Sequence, residues 1–68
     1  MHTDRALLEQ ITDSIRTAGY DPYAQLYGYL RTGNDSYITR QGNARDLIKQ
    51  VEKTALEAFL IILKSKQS

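Results

Sequence analysis

The sequence predicts an all-α protein, a compact bundle of three main helices plus a short helical turn in one domain over residues 1–68. Three observations carry this. Apolar residues recur at i, i+3, i+4 and i+7 in three stretches. Capping residues and glycines bound those stretches. No segment alternates apolar and polar residues at the period of a strand, and there is no internal repeat.

The first helix starts at a cap on Thr3 or Asp4 and places Leu7, Leu8, Ile11, Ile15 and Ala18 on one face. Arg5 and Glu9 pair across one turn on its wet side. Gly19 supplies the left-handed stop.

Asp21 caps the second helix, and Pro22 takes its first position, where a missing N–H costs nothing. Tyr23, Leu26, Tyr27 and Leu30 form the stripe, with Tyr23 and Tyr27 expected in the core. Gly28 lies opposite and costs about 1 kcal/mol relative to alanine. Its expected use is to let another backbone come close. Tyr29 lies off the stripe and is a candidate surface anchor. Gly33 ends the helix.

Asn34, Asp35 or Ser36 caps a short turn carrying Tyr37 and Ile38. Gln41-Gly42 breaks the chain and Asn43 caps the last helix. Its stripe is Ala44, Leu47, Ile48, Val51, Ala55, Ala58, Phe59 and Ile62, with residues 65–68 frayed. On this continuous helix Leu56, Leu60 and Leu63 form a second apolar face, roughly 100° or more from the first. Either helices 1 and 2 cover the two faces, or a second copy covers one of them. The expected arrangement is a homodimer through the C-terminal helix, with Leu56, Phe59, Leu60 and Leu63 at the interface. A chain this short buries only about 60% of its unfolded surface, so a partner copy would supply missing core.

Nine Lys+Arg against eight Asp+Glu leave a net charge of +1, which argues against a polybasic surface. Cysteine is absent and His2 is the one histidine, so no disulfide and no metal or other cofactor is expected. The longest apolar run, Ala58 to Leu63, is far short of the about twenty residues of a membrane span. No secretory pattern opens the chain, and a cytoplasmic location follows as the expectation. No nucleophile stands near a base by sequence pattern, and the glycines match no phosphate-binding spacing. The chain is therefore expected not to be an enzyme.

Helix 2, Gly33 and the following turn have a helix-turn-helix-like outline. A dimeric DNA-binding regulator is the alternative reading. It would set Ser36, Tyr37, Thr39 and Arg40 toward a groove and Arg31, Arg45 and Lys49 on phosphates. The charge balance favours protein contacts instead. The expected partner surface is Tyr29, Arg40, Gln41 and Arg45, although Arg45 has a second reading, as the holder of a carboxylate that fixes the connection.

One ordered set of residues resembles the IreB family of small regulatory proteins from low-GC Gram-positive bacteria. It comprises Gly19-Tyr20, Pro22, Gln25, Gly28-Tyr29, Gly33, Tyr37-Ile38, Asn43-Ala44-Arg45, Ile48-Lys49 and Glu52. The family's Asp-Pro after Gly33 stands here as Asn34-Asp35-Ser36. The resemblance implies a compact helical homodimer without enzymatic activity. It implies action through a Ser/Thr kinase or its pathway proteins, in control of cell-envelope stress and cephalosporin resistance. It also implies phosphorylation on N-terminal threonines, a role for which Thr3 is the candidate.

Overall fold

A computed structural model describes the backbone of residues 2–67 and the side chains of residues 4–66. Four helices follow in order: α1 (His2–Thr17), α2 (Pro22–Thr32), α3 (Ala44–Ile48) and α4 (Lys53–Gln67). Two 3-10 turns, Asp35–Tyr37 and Gln41–Asn43, join α2 to α3. No strand occurs among the described residues.

Helix α1 buries Leu8, Ile11 and Ile15. Thr12 is buried among them, and its hydroxyl donates to the Leu8 carbonyl at 2.7 Å, so the burial leaves no polar atom unmatched. Ala18 lies beyond the helix. The Tyr20 N–H returns to the Ile15 carbonyl at 3.1 Å and the Gly19 N–H to the Arg16 carbonyl at 2.9 Å. That pair of bonds is a Schellman stop, built around Gly19 at φ 89°.

The caps of α2 match the sequence. The Asp21 carboxylate accepts from the Tyr23 N–H at 3.1 Å, and the N–H of left-handed Gly33 reaches the Tyr29 carbonyl at 2.7 Å. The stripe is less simple. Leu26 is fully buried and Tyr23 half-buried, but Tyr27 turns to solvent at 42% exposure, contrary to its expected core role. Gly28 does give room, though to a ring and not to a backbone. Tyr37 lies across it, with the Tyr37 Cε1 only 2.9 Å from where a Cβ would stand.

Asn34 proves to be the cap of the first 3-10 turn, its side-chain oxygen accepting from the Ser36 N–H at 3.0 Å. Ile38 then enters the core with no exposed surface. The helix-turn-helix outline is not formed. Where it needs a recognition helix, the chain has a three-residue turn, too short to fill a groove.

The largest departure is in the C-terminal third, where one helix was expected and two are found. The N–H groups of Gln50 and Val51 bond three residues back, to Leu47 and Ile48, and the helical ladder stops there. The Asp4 carboxylate, brought over on α1, accepts from the Glu52 N–H at 3.4 Å just before α4 begins. Asn43 does stand at the N-cap position, of α3, but at φ 61° and with no side-chain capping bond.

The break re-aims α4. On a straight helix the centre of the Leu56, Phe59, Leu60 and Leu63 group would lie roughly 90° from that of Ala44 and Ile48. With the chain broken, all six are buried together, Leu56 at 2% exposure, Phe59 at 7%, and Leu60 and Leu63 at 4% each. The four residues expected at a dimer interface thus serve the core of a single chain. The outward apolar residues of α4 are Ala58, Ile61 and Ile62 instead. Residues 65–67, expected to fray, continue α4; Ser68 lies outside the described residues.

Candidate interaction surfaces

The connection from α2 to α3 is held from several sides. The Thr39 N–H donates to the Gln25 side chain on α2 at 2.9 Å. The Arg45 Nε donates to the Ile38 carbonyl at 3.1 Å, from a half-buried position. Arg45 therefore clamps the connection, through a carbonyl where a carboxylate was expected. Gly42 presses on the Ser14 side chain, which leaves no room for a Cβ there, and its φ of 59° is natural for glycine. Lys49 pairs with Asp35 at 3.0 Å, tying the end of α3 to the first 3-10 turn. The hydrogen bond and charge of Asp35 raise the Lys49 amine above its ordinary value.

These restraints place the expected surface residues unequally. Arg40 and Gln41 project from the surface, and both are exposed. Arg45 is engaged with Ile38, and Tyr29 is half-buried against the core. The structure therefore does not gather the four into one patch of free side chains. Thr3 has a helical backbone in the first turn of α1, and its side chain lies outside the described residues.

Two further surfaces flank α4, and the sequence pattern does not indicate them because the break after α3 shifts the phase of the helix. Toward α1, Ala55, Ala58 and Ile62 form a strip beside Asp4 and Arg5, and the Arg5 guanidinium lies 5.5 Å from the centre of the Phe59 ring. Toward α2, a groove is lined by Tyr23, Tyr27, Leu30, Leu60 and Ile61. Tyr23 and Tyr27 stack there with ring centres 5.8 Å apart, and Arg31 covers the Tyr27 ring at 5.7 Å. Ile61 is 73% exposed, more than any other large apolar residue described.

Among the described residues no three His, Cys, Asp or Glu side chains gather where they could hold a metal ion. No described helix is long and apolar enough to cross a membrane.

A small helical protein with apolar and polar contact faces is the class these features define. The family model for the IreB regulatory phosphoprotein matches residues 1–63. The chain belongs to the IreB family.

Proposed function

We propose that the protein is a non-catalytic cytoplasmic regulator that works as a homodimer through protein contacts. Its setting is Ser/Thr-kinase-linked control of cell-envelope stress and cephalosporin resistance. The family match over residues 1–63 carries this reading.

Since Leu56, Phe59, Leu60 and Leu63 are consumed in the core, the second copy docks on the outward strip of α4. Ala58 permits close approach and Ile62, 38% exposed, supplies apolar area. Asp4 and Arg5 beside the strip carry opposite charges, so a face that meets itself across a two-fold axis need not bring like charges together. Arg40 and Gln41 are the residues offered to other pathway proteins, and Thr3 is the phosphate acceptor.

Sedimentation equilibrium at micromolar concentration tests the dimer. Wild type is expected to sediment as a dimer and Ile62→Asp as a folded monomer, because the charge would enter a dry interface. A monomeric wild type refutes the assembly. Phosphopeptide mapping of protein from cells with and without the kinase tests Thr3.

A further inference from the structure

We propose that the groove between α2 and α4 docks an acidic amphipathic helix from another protein. The two helices run antiparallel, with Arg31 and Thr32 of α2 near Lys53 of α4 at one end and Tyr23 near Lys64 at the other. Two depressions along their seam meet at Leu30. The floor is apolar, and its walls hold Tyr27 and Ile61, exposed by 42% and 73%. Exposed apolar surface concentrated in one concave place marks a binding site more often than scattered residues do. The eleven residues of α2 give a seam of about 16 Å, the length of three turns of a docked helix.

Charge selects the occupant. The groove is bordered by Arg31, Lys53 and Lys64, against one carboxylate, Glu57. The ion pairs among the described residues, Arg5–Glu9 and Lys49–Asp35, use none of these four. A second copy of this chain would bring the same three cations to the same face, because a two-fold contact sets a patch against itself. A helix with Leu or Ile at i, i+4 and i+7 and Asp or Glu along its flanks meets both requirements. Its carboxylates would lie over the lysines, while Arg31 stays packed on Tyr27.

The test titrates the ¹⁵N-labelled full chain with two helix-forming peptides of about 15 residues, long enough to populate a helix. They share the same leucine spacing and carry either Glu or Lys on the flanks. The Glu peptide is expected to shift the amides of Tyr27, Leu30 and Ile61 saturably, while the Lys peptide leaves them unmoved. Ile61→Asp, at an exposed position, and the Lys53→Glu/Lys64→Glu double variant should each weaken binding by at least about tenfold. Equal binding of both peptides, shifts confined to another face, or no shift at millimolar Glu peptide would overturn the proposal. So would concentration-dependent shifts of the same amides without peptide, since a second copy would then occupy the groove. The Ile62→Asp dimer test reads a different strip, so either result stands without the other.

Discussion

Replacing Gly28 by alanine should destabilise this protein, although alanine is the better helix former. In an open helix interior the change would gain about 1 kcal/mol. Here the new Cβ would lie within 3.0 Å of Tyr37 ring carbons, the Cε1 at 2.9 Å among them. Comfortable carbon contacts need about 3.5–4.0 Å, and the α2 backbone cannot yield without breaking its ladder. The Tyr37 ring must move instead. It is 48% exposed, so about half of an aromatic side chain's area, roughly 100 Å², is at stake. At about 25 cal/mol per Å² its full loss costs up to about 2.5 kcal/mol, which exceeds the propensity gain. The net effect of Gly28→Ala is thus about 1–1.5 kcal/mol of destabilisation if the ring is expelled. In a Tyr37→Ala background the clash is gone, and the same substitution should stabilise by about 1 kcal/mol. Urea melts followed by circular dichroism on the four proteins of this cycle give both numbers. If Gly28→Ala stabilises the wild type as much as it does Tyr37→Ala, the ring does not rest on Gly28 and the reasoning fails.

Three further outcomes follow from the same geometry. Leu56→Ala, at a site 2% exposed, should cost about 2–5 kcal/mol, enough to unfold much of a chain this small in thermal melts. Asp21→Ala should cost about 1 kcal/mol by removing the cap on the Tyr23 N–H; an unchanged urea midpoint would contradict it. The Lys49–Asp35 pair raises the Lys49 pKa. Its contribution is therefore present below the unfolded-state pKa and fades as pH rises through the higher folded value. The Tm difference between wild type and Asp35→Asn should accordingly shrink on the alkaline side of the ordinary lysine range, and a difference that grows there would reverse the assignment.

Local signals were legible where the chain itself settles the structure. Asp21-Pro22, Gly19 and Gly33 each act through their own backbone conformation, so the C-terminal end of α1 and both ends of α2 could be read residue by residue, whereas Thr3 and Asp4, expected as caps, lie inside α1, which has begun by His2. The buried Ile38 and the short turn before it were legible too, because a lone apolar residue among polar ones has to find the core. Tyr27 was misplaced because a tyrosine on an apolar stripe can be shared between core and rim, and Leu26 and Leu30 already fill the inner positions. Arg45 carried two readings, a partner contact and a hold on the connection through a carboxylate; it makes the hold, but through the Ile38 carbonyl. A carbonyl acceptor such as that of Ile38 leaves no mark in the sequence.

The break between α3 and α4 shows why the candidate surfaces were the hardest part to see. Lys49, Gln50, Val51 and Glu52 include no glycine or proline, and all four are tolerated in helices. The helix stops there for a tertiary reason. Ala44 and Ile48 on one side, and Leu56 to Leu63 on the other, can share one core only if the chain gives up its phase between them. The benefit is the burial of four large side chains, at about 1.5–3 kcal/mol each, against the loss of a few backbone bonds at about 1 kcal/mol each. Two of the lost donors are recovered by the bonds to Leu47 and Ile48, and a third by Asp4. A phase shift of roughly 90°, about a quarter of a turn, then inverts the functional reading of α4. The leucines that seemed to face a partner become core, and Ile61 and Ile62 become surface. Ile61→Asp should consequently change stability by no more than about 0.5 kcal/mol, whereas Leu60→Asp should prevent folding. An uninterrupted helix, with Leu60 on its outer face, predicts that Leu60→Asp leaves a folded monomer, so the circular dichroism of that one variant decides between the two.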